Sequence, residues 1–274
     1  MGFLTDLVAE RRRELERRPL DDATLYARAS ALPPARAFLA SLRAHRPAVI
    51  AEVKRASPSA GAIADRDPAE RARAYAAAGA AAISVLTEPL HFQGSLLDLR
   101  SARTACDLPV LRKDFLVHPS ELIESRAAGA DAVLLIAACL SGSELLAMLG
   151  VARDLGLGVL VETHSDADLE KALATDAEAI GVNARDLETL DVDVDRALAT
   201  LGRIPADRLS IMESGIATRD HVRAAIDAGA SGILVGEALM RADDPGATLR
   251  ELLRPEMSGP EMSGPEMRGE ETAR

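Results

Sequence analysis

From Ala48 onward the chain keeps a regular beat. A short apolar run is followed by a loop and then by an amphipathic stretch of Ala, Leu, Arg and Glu, and the unit recurs about every 21–33 residues. The apolar runs are AVIAEV (48–53), AAISVL (81–86), PVLRK (109–113), AVLLIA (132–137), GVLVE (158–162), AIGVN (179–183), LSIME (209–213) and GILVG (232–236). Several show no alternation of apolar and polar positions, which predicts parallel strands covered on both faces. Three are preceded by the same signal, AAGAAAIS, AAGADAVL and DAGASGIL. Each reads as a helix end, a glycine cap and the next strand. Eight such βα units predict an α/β protein that closes into a single (β/α)8 barrel of the TIM type. An open doubly wound sheet is the alternative, but the first strand is not followed by GxGxxG.

Two segments fall outside this beat. Residues 1–44 are helical in pattern and form an N-terminal extension. In it, FLTDLVAERRRELERR is one helix, and SALPPARAFLASLR is a second that Ser30 caps, with prolines near its first turn. Residues 255–274 repeat the unit PEMSG without an apolar face, which predicts a disordered, low-complexity tail on a unit spanning 1–254.

Charge and composition narrow the function. There are 32 basic and 43 acidic side chains, a net charge of −11, which argues against a nucleic-acid partner and against an anionic membrane surface. No apolar run approaches the ~20 residues of a membrane span. Cys106 and Cys139 cannot form a disulfide framework. With no leader signal at the start, they read as reduced thiols of a cytoplasmic protein. Aromatic residues make up 2%, so Ala, Val, Leu and Ile must build the core. Only three of the basic residues are lysines, Lys54, Lys113 and Lys171. Where arginine would serve for solubility, this chain uses arginine, so a remaining lysine points to chemistry that a guanidinium cannot do. Lys171, on a helix surface, is read as a chance survivor. Asn183 is the one asparagine.

In a barrel the chemistry belongs where strands end and βα loops begin. Those positions hold Glu52, Lys54 and Ser57 after strand one, Phe92 after strand two, Lys113 and Phe115 after strand three, and Leu134 in strand four. Glu162 and His164 end strand five, Asn183 and Arg185 strand six, Glu213, Ser214 and Gly215 strand seven, and Gly236 and Glu237 strand eight. Glutamates inside apolar strands are costly unless paired. Either an ion-pair belt closes the barrel mouth, or Glu52, Glu162 and Glu213 with Lys54 and Lys113 form an acid–base cluster. The second is the reading taken here. Ser214-Gly215 and Gly236-Glu237, each read as opening a helix, suit a phosphate cradle of backbone N–H groups, with Lys54 and Arg185 near it. The five histidines show no HxxxH or HExxH spacing and no GxSxG occurs, so neither a metal site nor a serine nucleophile is expected.

Taken in order, IAEVKRASPSAG, LTEPLHFQGS, LRKDFLV, DAVLLIAACL, LVETH, IGVNARDLETL, ESGI and ILVGEALM resemble the indole-3-glycerol phosphate synthase family from about Phe3 to about Leu253. The resemblance implies a tryptophan-pathway carboxy-lyase that needs no cofactor. It would act on a phosphorylated small molecule, 1-(2-carboxyphenylamino)-1-deoxyribulose 5-phosphate, as a monomer or weak homo-oligomer. It also implies that Lys113 is the acid for ring closure and that Glu162 and the Glu52–Lys54 pair serve the later proton transfers. Asn183 and Glu213 would orient the substrate, and Ser57 would lie near its carboxylate. Phe92, Phe115 and Leu134 would form the slot for its ring, and Ser214, Gly215, Gly236 and Glu237 the phosphate cradle. The chain departs from the family's pattern at NAR in strand six, at Met212 before ESG and at Gln93 in FQGS. The alternatives are another sugar-phosphate barrel, such as phosphoribosylanthranilate isomerase, and a non-catalytic barrel that binds a phosphorylated ligand.

Overall fold

The computed structural model describes residues 2–57, 61–62 and 66–254, so the predicted tail at 255–274 lies outside the described residues. The N-terminal segment folds as α1 (Phe3–Arg17), α2 (Asp22–Ser30) and α3 (Phe38–Ala44). Then follow β1 (Ala48–Val53), a small hairpin of β2 (Ala56–Ser57) and β3 (Gly61–Ala62), α4 (Pro68–Ala77), β4 (Ala82–Leu86), α5 (Leu96–Ala105), β5 (Val110–Lys113), α6 (Pro119–Ala127) and β6 (Ala132–Ile136). A 3₁₀ turn (Ala137–Cys139) leads to α7 (Gly142–Asp154), β7 (Gly158–Thr163), α8 (Asp166–Leu173), β8 (Ala179–Asn183) and α9 (Val194–Leu201). The chain ends with β9 (Leu209–Glu213), α10 (Arg219–Asp227), β10 (Gly232–Val235), α11 (Glu237–Arg241) and α12 (Pro245–Leu253).

The strands close into a parallel barrel in the order β1-β10-β9-β8-β7-β6-β5-β4. This is the TIM barrel expected from the eight apolar runs, and each run matches a barrel strand to within a residue at either end. Nearly every strand position is buried, because side chains on one face fill the barrel and those on the other pack under helices. The three repeated αβ turns also form as read. Gly79, Gly129 and Gly229 take φ of 94°, 94° and 100°, a left-handed geometry that would strain a residue with a Cβ. Helix starts are capped by short polar side chains. Ser141 with Glu144, and Ser165 with Asp168, make reciprocal capping boxes at α7 and α8.

The N-terminal segment differs from its reading in one respect. Ser30 ends α2 and does not cap the next helix, and residues 31–37 are not helical. Pro33 and Pro34 explain the break: neither has an N–H to give, and each pushes the residue before it out of the helical region. The segment is tied down by its backbone instead. The Arg36 N–H donates to Asp131 at 2.7 Å, and Arg126 donates to the Pro33 carbonyl. Lys171 is likewise not a chance survivor. Its ammonium donates to the Ala137 and Leu140 carbonyls at 2.6 and 2.8 Å, pinning the 3₁₀ turn to α8. The β2–β3 hairpin has no counterpart in the sequence reading.

Between β5 and α6 lies a buried polar network. Arg112, 2% exposed, donates to Asp114 at 3.1 Å, to Glu124 at 2.9 Å, to Ser125 at 3.0 Å and to Thr87 at 3.1 Å. Burial works to raise the Asp114 carboxyl, but the Arg112 charge and the Thr87 hydroxyl outweigh it and hold it below its ordinary value. The stability this adds is therefore present above the usual carboxylate range and is lost as pH falls through the depressed value. Replacing Arg112 with Leu leaves the Asp114 charge buried without its cation. The expected result is a loss of about 3–5 kcal/mol in urea unfolding at neutral pH. A loss under 1 kcal/mol would show that the network contributes little.

Candidate active site

Strand geometry brings the charged residues together. Glu52 sits in β1, and Lys54 lies two residues on, on the same face, past the strand end. The Lys54 ammonium approaches Glu52 Oε1 to 2.8 Å. Lys113 ends β5 and crosses the barrel to donate to Glu162 at 2.7 Å and to Glu213 at 2.9 Å. Asn183 pairs in register with Glu213 and donates its side-chain N–H to Glu162 at 3.1 Å. Gly181 faces Glu162 across the β7–β8 pair. A Cβ at Gly181 would lie 2.1 Å from Glu213 Oε1, so the carboxylate occupies the space that a side chain would need.

These groups set one another's protonation. Burial alone would lower the Lys113 ammonium, but the facing carboxylates of Glu162 and Glu213 raise it, and it stays charged. Burial opposes ionisation of Glu162, yet Lys113 and then His164 hold its carboxyl well below the ordinary value. Glu213 moves the other way: burial, then the charge of Glu162, raise it well above that value. Its Oε1 is buried without a hydrogen-bond partner, as suits a protonated acid better than an anion. The cluster thus holds an ammonium, a carboxylate and a carboxylic acid within one shell.

Around the charges is an apolar wall. Phe3, Phe92, Phe115, Leu134 and Leu234 line a cavity of about 970 Å³, counting the part open to solvent, and Glu52, Lys54, Lys113, Glu162, Asn183 and Glu213 line it too. Phe92 is placed by Glu88, which accepts the backbone N–H groups of Leu90, His91 and Phe92 at 2.9, 2.7 and 3.0 Å. Gly94 passes so close to the Leu86 carbonyl that a Cβ would lie 2.1 Å from its oxygen. Phe115 stacks obliquely on Phe92 at 6.1 Å and meets Phe3 edge-on at 6.4 Å.

Ser214, Gly215, Gly236, Glu237 and Arg185 also line the cavity, on the side of β8, β9 and β10. Ser214 and Gly215 are successive left-handed residues, with φ of 64° and 72°. They do not open a helix: α10 starts only at Arg219, capped by Thr218. Gly236 does cap α11, where Glu237 turns its carboxylate to Arg241 at 3.1 Å. Arg185 donates to the Leu190 carbonyl at 2.8 Å and so holds its own loop. The Ser57 side chain lies outside the described residues. Two residues of this region carry no role in the sequence reading. Phe3 comes from α1, and its signal was rarity, being one of four phenylalanines. His164 reaches Glu162 Oε1 with its Nε2 at 3.0 Å.

Comparison with known proteins bears on what the cavity does. The family model described as indole-3-glycerol phosphate synthase matches residues 4–252. A relative of that description from Polaromonas naphthalenivorans (strain CJ2) is 45% identical over 259 residues, covering 91% of this chain and 98% of its own. Another from Azoarcus sp. (strain BH72) is 50% identical over 237 residues, covering 84% and 90%. Among solved structures, 3-hexulose-6-phosphate synthase aligns over 75% of this chain and 97% of its own, with a TM-score of 0.60 at 18% identity, a likeness of fold alone.

The φ of Gly236 is −131°, outside the left-handed region that favours glycine. The constraint is contact. A Cβ there would lie 2.1 Å from Glu52 Oε1 and 3.0 Å from Glu52 Cβ. Gly236→Ala must therefore push Glu52 away from Lys54. The expected outcome in steady-state kinetics is a fall in kcat on the order of 10²-fold, along with any rise in KM. A rise in KM at unchanged kcat would confine Gly236 to ligand binding.

Proposed function

The chain belongs to the indole-3-glycerol phosphate synthase family, and from that premise we propose how its own side chains divide the work. The reaction is ring closure, decarboxylation and dehydration of 1-(2-carboxyphenylamino)-1-deoxyribulose 5-phosphate to indole-3-glycerol phosphate, a carboxy-lyase step of tryptophan biosynthesis.

One observation carries the assignment: the Lys113 ammonium is held charged between two buried carboxyl groups, at the edge of an apolar slot. Attack of the aromatic carbon on the ketone turns the ketone oxygen into an alkoxide, and Lys113 is the acid that protonates it. Arginine would keep the charge but release no proton. Once Lys113 has given up its proton, Glu162 loses the cation that holds it ionised, and its basicity rises toward the dehydration, the later step that needs a proton acceptor. Loss of carbon dioxide then needs no further acid. In the dehydration Lys54, paired with Glu52, is placed to protonate the departing hydroxyl, while Glu162 takes the proton from carbon. Asn183 and Glu213 orient the hydroxyls. Phe3, Phe92, Phe115 and Leu134 clasp the anthranilate ring and keep water from it. The phosphate is assigned to the backbone N–H groups of Ser214-Gly215 and of Gly236-Glu237, with Arg185 and Lys54 nearby and Ser57 toward the substrate carboxylate.

The same reading makes the protein cytoplasmic, in keeping with its free thiols at Cys106 and Cys139. Among the described residues no helix is long and apolar enough to cross a membrane. Phe3 completes the cavity from within one chain, which supports action as a monomer or weak homo-oligomer.

The test is Lys113→Arg, followed through indole fluorescence of the product. Turnover is expected to fall about 10²-fold or more, the scale of a general acid, with the folded state retained. Near-normal turnover would remove Lys113 from the acid role.

A further inference from the structure

His164 is a buried titratable group to which the mechanism above gives no task. It follows Glu162 by two residues at the mouth end of β7, and its side chain is 9% exposed. Its Nε2 lies 3.0 Å from Glu162 Oε1, within ion-pair reach, but the ring is not aligned for a hydrogen bond, and neither ring nitrogen has a hydrogen-bond partner. A buried imidazole left in that state needs a reason.

The surroundings supply one. The backbone, not the ring, is what anchors this residue. The His164 N–H donates to Asp168 of α8 at 3.3 Å, and its carbonyl accepts from Arg196 of α9 at 2.5 Å. With both main-chain groups fixed, the ring's closest polar approach is to Glu162. Other charged groups around it are already engaged. Arg12 of α1 pairs with Glu144 at 2.9 Å, and Lys171 of α8 holds two carbonyls. Asp186 accepts the backbone N–H groups of Glu188 and Thr189, and Glu188 accepts from Thr5 of α1. The Cys139 thiol of the 3₁₀ turn shares the cleft under α1 with His164, Asp168, Asp186 and Glu188, and burial pushes that thiol up, so it stays neutral. Glu162 itself takes Lys113 on its Oε2, and its Oε1, the oxygen that His164 approaches, accepts from Asn183.

We propose that His164 is a positioning residue that acts through Glu162. Protonated, it is a second cation on the Glu162 carboxylate, locking it as a weak base. Neutral, it leaves Lys113 as the sole cation against that carboxylate, so that proton release by Lys113 frees Glu162 fully. Proton uptake by His164 should therefore lower turnover, and loss of that proton should restore it. This rests on the reading of Glu162 as the proton acceptor.

The experiment measures kcat and KM from pH 5.5 to 9 for the wild-type enzyme, His164→Gln and Glu162→Gln. Wild-type kcat is expected to show an acid limb approaching a tenfold fall per pH unit. In His164→Gln that limb is lost while KM and Tm hold. A limb that persists unchanged in His164→Gln overturns the proposal, as does a variant whose only change is in Tm or KM. Glu162→Gln separates the two readings. If it keeps near-normal turnover, the role of Glu162 fails. If it is inactive while His164→Gln keeps its limb, only the inference about His164 fails. Should His164→Gln not fold, NMR titration of the His164 ring in wild-type and Glu162→Gln decides. Its midpoint is expected to drop when the carboxylate is gone, and an unmoved midpoint overturns the coupling.

Discussion

A single ammonium, that of Lys113, sits between two glutamates that are each about 1% exposed. Either carboxylate alone in that place would be strongly disfavoured, since taking a charge out of water costs several kcal/mol even after relaxation. The lysine compensates one of them in full. The second is accommodated by keeping its proton, which is the direction in which burial and Glu162 both drive Glu213. The local protein is built around this arrangement. Gly181 gives Glu213 its space, Asn183 and His164 flank Glu162 on the other side, and Gly236 does for Glu52 what Gly181 does for Glu213.

The chain folds its own first helix against the mouth, so that Phe3 joins the cavity wall. α1 is fastened at its middle by Arg11 to Glu121 at 2.7 Å and by Arg12 to Glu144 at 2.9 Å, and at its start by Thr5 to Glu188 at 2.5 Å. Glu121 is buried, and burial raises its carboxyl despite Arg11, so the first of these pairs lies at the inner edge of the lid. These anchors bring Phe3 against Phe115 and against His91, whose ring it meets edge-on at 5.0 Å. Phenylalanine is scarce in this chain. Three of its four copies, Phe3, Phe92 and Phe115, line the cavity, and the fourth, Phe38, packs against Gly158 at the far end of β7. Away from the cavity the core is largely aliphatic, with Phe38 and Tyr75 as its buried aromatic members.

Much of this was readable from sequence because the signals were periodic or rare. The eight strands followed from apolar runs, and the αβ turns from repeated glycines that do take left-handed φ. The lysines and the asparagine stood out against an arginine-rich background. What was not readable depended on distance in three dimensions. Nothing in the spacing of Phe3 shows that it meets Phe115, since that contact is made by packing of α1 on the barrel. Ser30 looked like a cap because serine before an apolar stretch usually is one, and two prolines overrode it. Gly236 was read as part of a helix opening, whereas the constraint on it is the carboxylate of a strand nearly two hundred positions earlier. Lys171 could not be told from a surface lysine until the carbonyls that it holds came into view.

The charge balance of the mouth constrains how an anionic substrate can bind there. Two ammonium groups, Lys54 and Lys113, face three carboxyl groups, Glu52, Glu162 and Glu213. With the proton retained on Glu213, the five groups sum to zero. A reacting cluster neutral in itself adds no net charge toward a substrate carrying a phosphate and a carboxylate, while Asp114, Arg185 and Glu237 also line the cavity of a chain whose total is −11. The phosphate must then be recognised without help from an excess of cationic side chains. The phosphate site proposed at the two turns after β9 and β10 would meet that need, because backbone N–H dipoles are fixed, do not titrate and leave the charge balance of the reacting groups untouched. Separating the proposed anchor from the acid–base cluster in this way would let Lys113 give up its proton to the reacting oxygen while the phosphate remains held.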